Sequence, residues 1–381
     1  MDFELNEDQQ MMKDAAREFA EKRLFPNAAK YDEEERLPAE LFAELAELGY
    51  MGMLVPEKYG GMELDPISYA CIIEEFSRAC AGLGTTLSVH SSLICGTIAE
   101  CGSEALKEKY LPRLAGGEVG SYCVTEPGAG SDAGSLRTTA VADGDSYIIN
   151  GEKVFVTSAD YSKIYLVFCL TEPELESHGI SLFLVERDTP GFEVGAKEKK
   201  LGIRCSDTRS ISFSDARIPA GQMIGEKNGG FKIALSRLDH GRLGVAAQAL
   251  GIAEAALAEA VKYSKERKQF NRPICEFQAI AFKLADMRTR IDAARWLTYR
   301  AFSLASERRR YSRTAAEAKL FASETANWVA NEAVQIHGGY GYMKEYPVER
   351  YFRDARITEI YEGTSEVQRI VISRAVLRED K

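Results

Sequence analysis

Basic runs, paired cysteines, long apolar runs and an apolar leader are all scarce or missing in this chain of 381 residues. The formal net charge is −10, and the longest basic run is the triplet 308–310, which is too short for a nucleic-acid tract. We therefore expect no nucleic-acid binding. The charge does not exclude an anionic small ligand, because a few local arginines are enough to bind one.

The eight cysteines include no Cys-x-x-Cys pair, so neither a zinc ribbon nor a thioredoxin-like redox site is expected. Most of them lie in apolar runs, as Cys95 does after Ile94 and Cys169 does between Phe168 and Leu170. This pattern predicts reduced, small core residues in a reducing compartment. No metal site is predicted.

No window of about 18 residues stays apolar, so we expect no membrane-spanning helix. The first residues, Met1–Leu5, are partly acidic and hold no apolar core, so we expect neither a secretory leader nor an Arg-rich transit segment. The expected location is the cytoplasm, or the mitochondrial matrix for a mature eukaryotic chain.

The chain does contain an ordinary globular balance of 45% hydrophobic and 28% charged residues. Its length exceeds that of a usual single domain. Helical periodicity dominates the first third, strand patterns follow, and long helical stripes return in the last third. We predict a mainly α protein with a β insert: an N-terminal all-α domain at 1–120, a middle antiparallel β-barrel or sandwich domain at 121–230, and a C-terminal four-helix bundle at 231–381.

Local signals mark the ends of several elements. Asn6 is the predicted N-cap of the first helix, and Thr364 is the predicted N-cap of the last. Asn150-Gly151 stands between two apolar runs. Because Asn-Gly supplies the positive φ angles of a type I′ turn, this dipeptide predicts a β-hairpin.

The segment 122–132 is rich in glycine and follows a predicted strand. Gly128, Gly130 and Gly134 are not a dinucleotide-binding fingerprint, since the third glycine comes one place late and strand-like residues follow it. Two interpretations stay open. The backbone amides and the hydroxyls of Thr125 and Ser131 face a polar ligand, or the segment is an ordinary Pro-Gly loop.

The stretch 360–367 carries Glu362 between an aromatic residue and a glycine, just before the last predicted helix. A carboxylate in this place can abstract a proton, and Gly363 lets another molecule approach the backbone closely. The alternative is a surface glutamate in front of a capped helix.

Two further features leave alternatives open. Arg242 interrupts an apolar helical stripe and needs a fixed partner, which is either Asp239 three residues earlier or an anionic ligand. Gly338-Gly339 ends a predicted helix, either as a cap alone or as a place where a ligand or another subunit approaches.

Three motifs follow one another along the chain. The β insert begins Tyr-Cys-Val-Thr-Glu-Pro-Gly-Ala-Gly-Ser-Asp at 122–132, the bundle carries Gln-Ile-His-Gly-Gly-Tyr-Gly-Tyr at 335–342, and Tyr-Glu-Gly-Thr-Ser-Glu stands at 361–366. In this order and spacing the motifs resemble the acyl-CoA dehydrogenases, and the resemblance covers essentially the whole chain. Residues 239–256 are most similar to the short-chain, butyryl-CoA type.

The resemblance implies an FAD enzyme that oxidises an acyl-CoA thioester to the trans-2-enoyl-CoA. Glu362 would abstract the α-proton while the β-hydrogen leaves as hydride to the flavin N5. The substrate carbonyl would be held by the backbone N–H of Glu362 and a ribityl hydroxyl of FAD. The family also implies a homotetramer, a dimer of dimers, and reoxidation by an electron-transferring flavoprotein.

Further residues take their expected roles from the same resemblance. The flavin and the thioester arm would contact Tyr122, Val124, Thr125 and Ser131, and the isoalloxazine ring would be covered by Phe155, Val156 and Thr157. The FAD of a neighbouring subunit would contact Arg267, Phe270, Gln278, Gln335, Gly338 and Gly339. The FAD beside the base would contact Thr364 and Glu366. The acyl-CoA would contact Ser131, Asp239, Arg242 and Gly363.

Three positions refine the comparison with branches of the family. Gly241 stands where the isovaleryl and long-chain branches carry their base, so Glu362 is the expected base here. Gly84 stands where the glutaryl branch carries an arginine, so a dicarboxylic substrate is not expected. His240 stands where close relatives usually show glycine, and its role stays open.

Other functions fit the same sequence less well. They are dehydrogenation of cyclic or branched acyl-CoA, an acyl-CoA oxidase, enoyl-CoA reduction in vivo and, more remotely, a non-enzymatic helical binding protein. The sequence does not determine the acyl chain length, the physiological direction or the electron acceptor.

Overall fold

The computed structural model describes residues 4–307 and 309–378. The first three residues of the acidic start and Arg308 of the basic triplet therefore lie outside the described residues. The N-terminal part is helical and consists of α1 (Glu7–Phe19), α2 (Ala28–Glu34), α3 (Ala39–Glu47), α4 (Pro66–Ala79), α5 (Ala81–Ser88), α6 (Gly96–Cys101) and α7 (Glu104–Ala115). Wider π-helical stretches, Ala20–Leu24 and Val89–Cys95, continue α1 and α5.

Side-chain caps explain where the first helices begin. The Asn6 carboxamide accepts from the N–H of Gln9 at 2.8 Å, and the Gln9 side chain accepts from the N–H of Asn6 at 3.1 Å. This reciprocal capping box satisfies two otherwise unpaired groups, and the predicted cap at Asn6 is confirmed. Asp65 caps α4 in a similar way through the N–H of Ile67.

The middle part is an eight-stranded sheet. Its strands are β1 (Val119–Cys123), β2 (Thr139–Asp143), β3 (Ser146–Thr157), β4 (Ser162–Leu170), β5 (Ile180–Glu186), β6 (Phe192–Lys197), β7 (Thr208–Pro219) and β8 (Met223–Ile224). They are ordered β6-β7-β3-β2-β4-β5-β8, with β1 beside β4. Pairing is mainly antiparallel, as predicted, but β1 and the start of β2 run parallel to β4.

The predicted hairpin turn at Asn150-Gly151 is wrong. Strand β3 continues through these residues because both of its halves pair with the same neighbour, β7. The register shifts between Ile149 and Gly151, so Gly151, with a φ of 141°, forms a bulge rather than a turn. The chain reverses instead at Gly144, which has a φ of 64° and lies between β2 and β3.

Strand β4 is buried on both faces and joins two cores. Ile164 and Leu166 pack in a cluster with Tyr110 of α7, so this face of the sheet lies against the N-terminal helices. Tyr165 and Val167 point the other way and pack in a second cluster within the β part. The alternation of side chains along one strand thus connects the sheet to the helical part in front of it.

The C-terminal part is helical again. It contains α8 (Gly230–Glu266), the two-stranded ribbon β9 (Lys268–Gln269) and β10 (Arg272–Pro273), α9 (Gln278–Ser306), α10 (Ser312–His337), α11 (Val348–Arg356) and α12 (Ser365–Val376). Helix α10 packs against α8, α9 and α12, which form the bundle with it. The domain limits at 120/121 and 230/231 stay a prediction.

Helix α8 also packs tightly against α4. A Cβ placed on Gly251 would overlap the carbonyl oxygen of Glu74 and lie 2.7 Å from the backbone nitrogen of Arg78. Only a glycine lets the two helix backbones come this close. The N-terminal and C-terminal helices consequently share one hydrophobic core.

Helix α8 corrects the expectation that no window of about 18 residues is apolar enough to span a membrane. A window of Gly230–Glu266 has a mean hydropathy of 1.3, so by length and composition alone α8 could cross a membrane. However, 78% of that window is buried inside the protein. The apolar character of α8 is that of a central helix surrounded by packed neighbours.

The cysteines are unpaired, as predicted. None of the eight forms a disulfide, and all but Cys101 and Cys275 are buried.

Candidate active site

Glu362 lies in the loop between α11 and α12, in a backbone conformation that is unusual for its residue type. Its φ is +55°, and Gly363 after it has a φ of +92°. A non-glycine residue with positive φ is strained, and such residues persist where surrounding contacts hold them. Thr364 then caps α12 by accepting from the N–H of Val367 at 3.3 Å, so the predicted N-cap is confirmed.

Three buried polar side chains hold this loop. Lys319 of α10 donates to the Gly363 carbonyl at 2.7 Å, and Gln368 of α12 donates to the same oxygen at 2.8 Å. On the other side of Glu362, the Tyr361 hydroxyl donates to Gln248 of α8, whose amide nitrogen donates to Thr85 Oγ1 at 2.7 Å. The turn around Glu362 is therefore anchored to three helices.

The carboxylate of Glu362 points inward and packs against the backbone of α8. Its Oε2 is buried and has no hydrogen-bond partner among the described residues. A Cβ placed on Gly241 would overlap this oxygen and lie 2.8 Å from the Glu362 Cδ. Gly241 thus provides the space that the carboxylate occupies, although the residue as a whole is partly exposed.

The protonation of this carboxylate is shifted toward neutral pH. Burial raises the pKa of Glu362 to about 7, against the lowering effect of the Lys319 and Arg242 charges. A buried acid without a hydrogen-bond donor holds its proton more tightly, because the charged form loses its hydration. A pKa near 7 is well suited to a general base.

The backbone at Glu362 offers a hydrogen-bond donor. Its N–H donates to no backbone carbonyl within residues 4–307 and 309–378. A free N–H beside a base of raised pKa can hold an oxygen that gains negative charge when a neighbouring proton is removed.

Arg242 and Asp239 form an ion pair on α8. Ser312 also donates to Asp239 at 3.1 Å, and burial raises the pKa of Asp239. Asp239 is therefore a fixed partner of Arg242. The buried Nε of Arg242, however, has no hydrogen-bond partner among the described residues. His240 lies in the same turn and contacts the Tyr311 hydroxyl, with Nδ1 at 2.6 Å.

The segment that begins at Tyr122 approaches the same region from β1. The Tyr122 hydroxyl is buried without a partner in the described part of the chain, and the charges of Arg237 and Glu362 both reach it. Its ring packs edge-on against Phe168 with centroids 5.0 Å apart. The role of Tyr122 in the site stays a prediction.

A buried ion pair holds the loop that follows Tyr122. Lys153 Nζ lies 2.7 Å from Glu126 Oε1 and 3.3 Å from the Val124 carbonyl oxygen. Burial alone would raise the pKa of Glu126, but the Lys153 charge and the N–H groups of Thr138 and Arg137 lower it. The start of the loop is therefore anchored to β3, whereas contact of its amides and hydroxyls with a polar ligand stays a prediction.

The remaining predicted site residues of the β part differ in how exposed their side chains are. Ser131 is exposed on its loop, and the Thr125 carbonyl accepts from the N–H of Val154 at 2.9 Å. The Phe155 ring is 67% exposed, with a φ of +56°. The Val156 side chain is buried in the sheet core, so only its backbone is available to a ligand, whereas Thr157 is half-buried.

A second group of predicted residues surrounds a cavity of about 700 Å³ at the far end of α8 and α10. Arg267, Gly338 and Gly339 line it, together with Tyr263 and Tyr340. Gly338 has a φ of 61°, and nothing lies within 4 Å of a Cβ placed on it or on Gly339. Their backbone is therefore open to a ligand.

Three predicted residues lie outside that cavity. Phe270 is 88% exposed, and Gln278 and Gln335 are also exposed. Glu366, on the first turn of α12, is exposed as well.

Three family models match consecutive parts of the chain. They describe the acyl-CoA dehydrogenase N-terminal domain over residues 6–118, the middle domain over residues 121–216 and the C-terminal domain over residues 228–377. The chain belongs to the acyl-CoA dehydrogenase family. It is an oxidoreductase of a flavoprotein family, and both the resemblance and the three-part fold predicted from the sequence are confirmed.

Individual relatives are similar over their full lengths. An acyl-CoA dehydrogenase of Bacillus subtilis (strain 168) is 48% identical over 374 residues, which are 98% of this chain and 99% of that one. The solved butyryl-CoA dehydrogenase from Megasphaera elsdenii has a TM-score of 0.97 at 48% identity, covering 99% of this chain and 100% of that chain. A chain from the structure of the electron transferring flavoprotein of Acidaminococcus fermentans has a TM-score of 0.98 at 51% identity, and the match covers 99% of this chain and 100% of that chain.

In this member of the family, sequence reasoning missed the residues that hold the base. Lys319, Gln368 and Gln248 were not predicted, although each contacts the loop of Glu362 or its neighbour. One signal was present for Lys319. It lies on the helical stripe of Ala315 and Ala322, where a buried small residue would be expected.

Proposed function

We propose that this chain is an FAD-dependent dehydrogenase of short-chain acyl-CoA, forming the trans-2-enoyl-CoA and passing electrons to an electron-transferring flavoprotein. The observation that carries the proposal is the buried Oε2 of Glu362, which has no hydrogen-bond partner in the described part of the chain, in a carboxylate whose pKa burial raises to about 7. The relatives named for butyryl-CoA dehydrogenase and electron transferring flavoprotein support the substrate class and the electron acceptor.

Glu362 would abstract the proton from the carbon next to the thioester carbonyl. Such a proton is weakly acidic, so the carbonyl oxygen must be held as it gains negative charge. The free N–H of Glu362 would donate to it, and one donor of this kind is typically worth about 3 kcal/mol. Burial of Oε2 removes this oxygen from water, which makes the carboxylate a stronger base than it would be in solvent.

Gly363 and the Asp239–Arg242 pair would position the acyl-CoA beside the base. When bound, FAD supplies the acceptor for the hydride from the neighbouring carbon. The loop of Tyr122, Val124, Thr125 and Ser131 would hold the cofactor on one side, and the Phe155–Thr157 segment would cover it. Thr364 and Glu366 would contact it next to the base.

The cavity beside Arg267 has the chemistry that the distant end of FAD needs. A guanidinium can bind phosphate oxygens, and the open backbone of Gly338 and Gly339 lets a ligand approach closely. The volume of about 700 Å³ lies in the range of cofactor pockets. Phe270, Gln278 and Gln335 would complete this site for the FAD of a neighbouring subunit.

A homotetramer, arranged as a dimer of dimers, is part of the proposal. Large apolar side chains are exposed around this region, including Phe270 at 88%, Phe282 at 63% and Tyr342 at 83%. Exposed apolar patches of this kind mark protein–protein contacts. The cytoplasm, or the mitochondrial matrix for a mature eukaryotic chain, stays the predicted location.

The function is tested by turnover of the purified holoenzyme. We expect a yellow protein that oxidises butyryl-CoA faster than hexanoyl-, isobutyryl- or cyclohexanecarboxyl-CoA when an electron-transferring flavoprotein is the acceptor. Rapid peroxide formation in air would point to an oxidase instead. A colourless protein that takes up no FAD would overturn the proposal.

Arg267→Ala is expected to weaken FAD retention, because it removes the guanidinium at the edge of the cavity. The flavin-to-protein absorbance ratio after dialysis measures the effect, and added FAD should restore it. Arg217→Ala is the matched control, since Arg217 forms a surface pair with Asp143 far from the cavity residues. Equal flavin content in both variants would contradict a role of Arg267 in holding the cofactor.

A further inference from the structure

Lys319 is fully buried in α10, although lysine is among the residues least often found inside proteins. An ordinary buried ion pair would place a carboxylate within 4.0 Å of its ammonium, but none of the described residues does so. Burying a charge without a close partner is unfavourable, so a special contact must account for it.

The contact that Lys319 does make is to the backbone beside the base. Its Nζ donates to the Gly363 carbonyl at 2.7 Å. This carbonyl follows two residues of positive φ, Glu362 and Gly363, and Gln368 donates to it from the opposite side at 2.8 Å. Two donors on one oxygen hold the strained turn in place.

From this position beside the Gly363 carbonyl, the charge of Lys319 also lowers the pKa of Glu362. The other cation that acts on this carboxylate is Arg242, which is already paired with Asp239. Other titratable groups in the described residues that interact with these two are the phenols of Tyr361, Tyr69 and Tyr122, and the carboxylates of Glu359 and Glu366.

We propose that Lys319 is a positioning residue for the reaction: it fixes the peptide after Glu362 and supplies the unpaired positive charge that favours the ionised base. This inference rests on the proposed function of Glu362 as the base. Lys319 touches no reacting atom in this scheme and acts only through Glu362.

The titration of the pair agrees with this geometry. Burial lowers the pKa of Lys319 to about 8, while the Glu362 charge raises it. Because the pKa of Glu362 is about 7 and that of Lys319 is about 8, both groups are charged mainly between pH 7 and pH 8. The charge of each group shifts the pKa of the other, so a substitution of one should appear in the titration of the other.

Three substitutions separate the hydrogen bond from the charge. Lys319→Gln keeps a donor and removes the charge, Lys319→Met removes both, and Lys319→Arg keeps the charge. The holoenzyme of each is assayed for kcat/KM with butyryl-CoA across the pH range in which Glu362 titrates. We expect the acid limb to move up by about one pH unit in the Gln and Met variants, because loss of a nearby cation raises the pKa of Glu362.

Lys319→Arg is expected to return the acid limb toward its wild-type position. A merely structural lysine would give the same limb in all variants with only lower stability or yield, and that result would overturn the proposal. Should the Met variant fail to fold, the Gln and Arg variants still decide it, since they differ in charge while both can donate a hydrogen bond.

A second measurement is independent of turnover. The pH dependence of the thermal midpoint is compared for wild type, Lys319→Gln, Glu362→Gln and the double variant. We expect Lys319→Gln to change the pH dependence of the thermal midpoint when Glu362 is present, and to leave it unchanged in the Glu362→Gln background. Additive effects of the two substitutions would contradict the inference.

These measurements distinguish a wrong role for Lys319 from a wrong assignment of Glu362 as the base. If Glu362→Gln turns over normally but the midpoints are coupled, Glu362 is not the base and Lys319 still controls its charge. If Glu362→Gln is inactive and no coupling appears, the base assignment stands and the role given to Lys319 falls.

Discussion

Glu362→Gln is expected to lower kcat by about 100-fold or more, the usual size of a general-base contribution. The amide keeps the shape of the side chain but cannot accept the α-proton. Because FAD and the acyl-CoA are held mainly by other residues, flavin content and ligand binding should stay close to wild type. Stopped-flow reduction of the flavin by butyryl-CoA measures the loss directly.

The control for this variant is Glu324→Gln. Glu324 forms a surface pair with Arg369 between α10 and α12, so the same chemical change is made outside the site. We expect normal turnover in the control. Near-normal turnover in Glu362→Gln would reassign the base.

The same variant should change how stability depends on pH. The folded pKa of Glu362, about 7, lies above the ordinary value of 4.5, so the folded protein binds this proton more tightly than the unfolded chain. Stability is therefore lost as pH rises from about 4.5 to about 7, by an amount on the order of 3 kcal/mol. Glu362→Gln removes this slope and should be the more stable protein at alkaline pH.

Gly241→Ala is expected to lower kcat/KM by about 100-fold while the protein stays folded. The added methyl group would overlap Glu362 Oε2 and lie 2.8 Å from Cδ, so the carboxylate must move away from α8. A displacement of about 1 Å at a reacting group can reduce the rate by about two orders of magnitude. Alanine is also the better helix former, by about 1 kcal/mol, which limits any loss of stability.

The comparison variant is Gly221→Ala, because nothing lies within 4 Å of a Cβ at that position. Turnover and thermal midpoint of both variants should be measured side by side. We expect a change in turnover for Gly241→Ala alone. Wild-type activity in that variant would mean that the carboxylate does not need the space beside Gly241.

Local features of the fold were predictable because they depend on neighbouring residues. Asn6 and Thr364 were predicted as caps and cap their helices, since a capping side chain needs only the next turn of backbone. Asn150-Gly151 was predicted as a hairpin turn and is part of β3, because strand pairing with β7 overrides the preference of the dipeptide. A local preference yields wherever a distant segment supplies more hydrogen bonds.

The candidate site divides in the same way. Glu362, Tyr122 and Arg242 could be named from motifs and stripes, because each stands out among its sequence neighbours. The Asp239 partner of Arg242 was also among the predicted alternatives, since three residues along a helix bring two side chains together. These predictions needed no knowledge of how the helices cross.

By itself, the sequence determined the family, the order of helical and β parts and the identity of the acidic residue near the end of the chain. Only the tertiary structure decided that Glu362 Oε2 is buried with no hydrogen-bond donor among the described residues, that Gly241 makes room for it and that Lys319 binds the carbonyl of the next residue. The reason is physical. A carboxylate becomes a base of raised pKa through the loss of water and the charges around it, and these come from α8, α10 and α12, which are far apart in the chain.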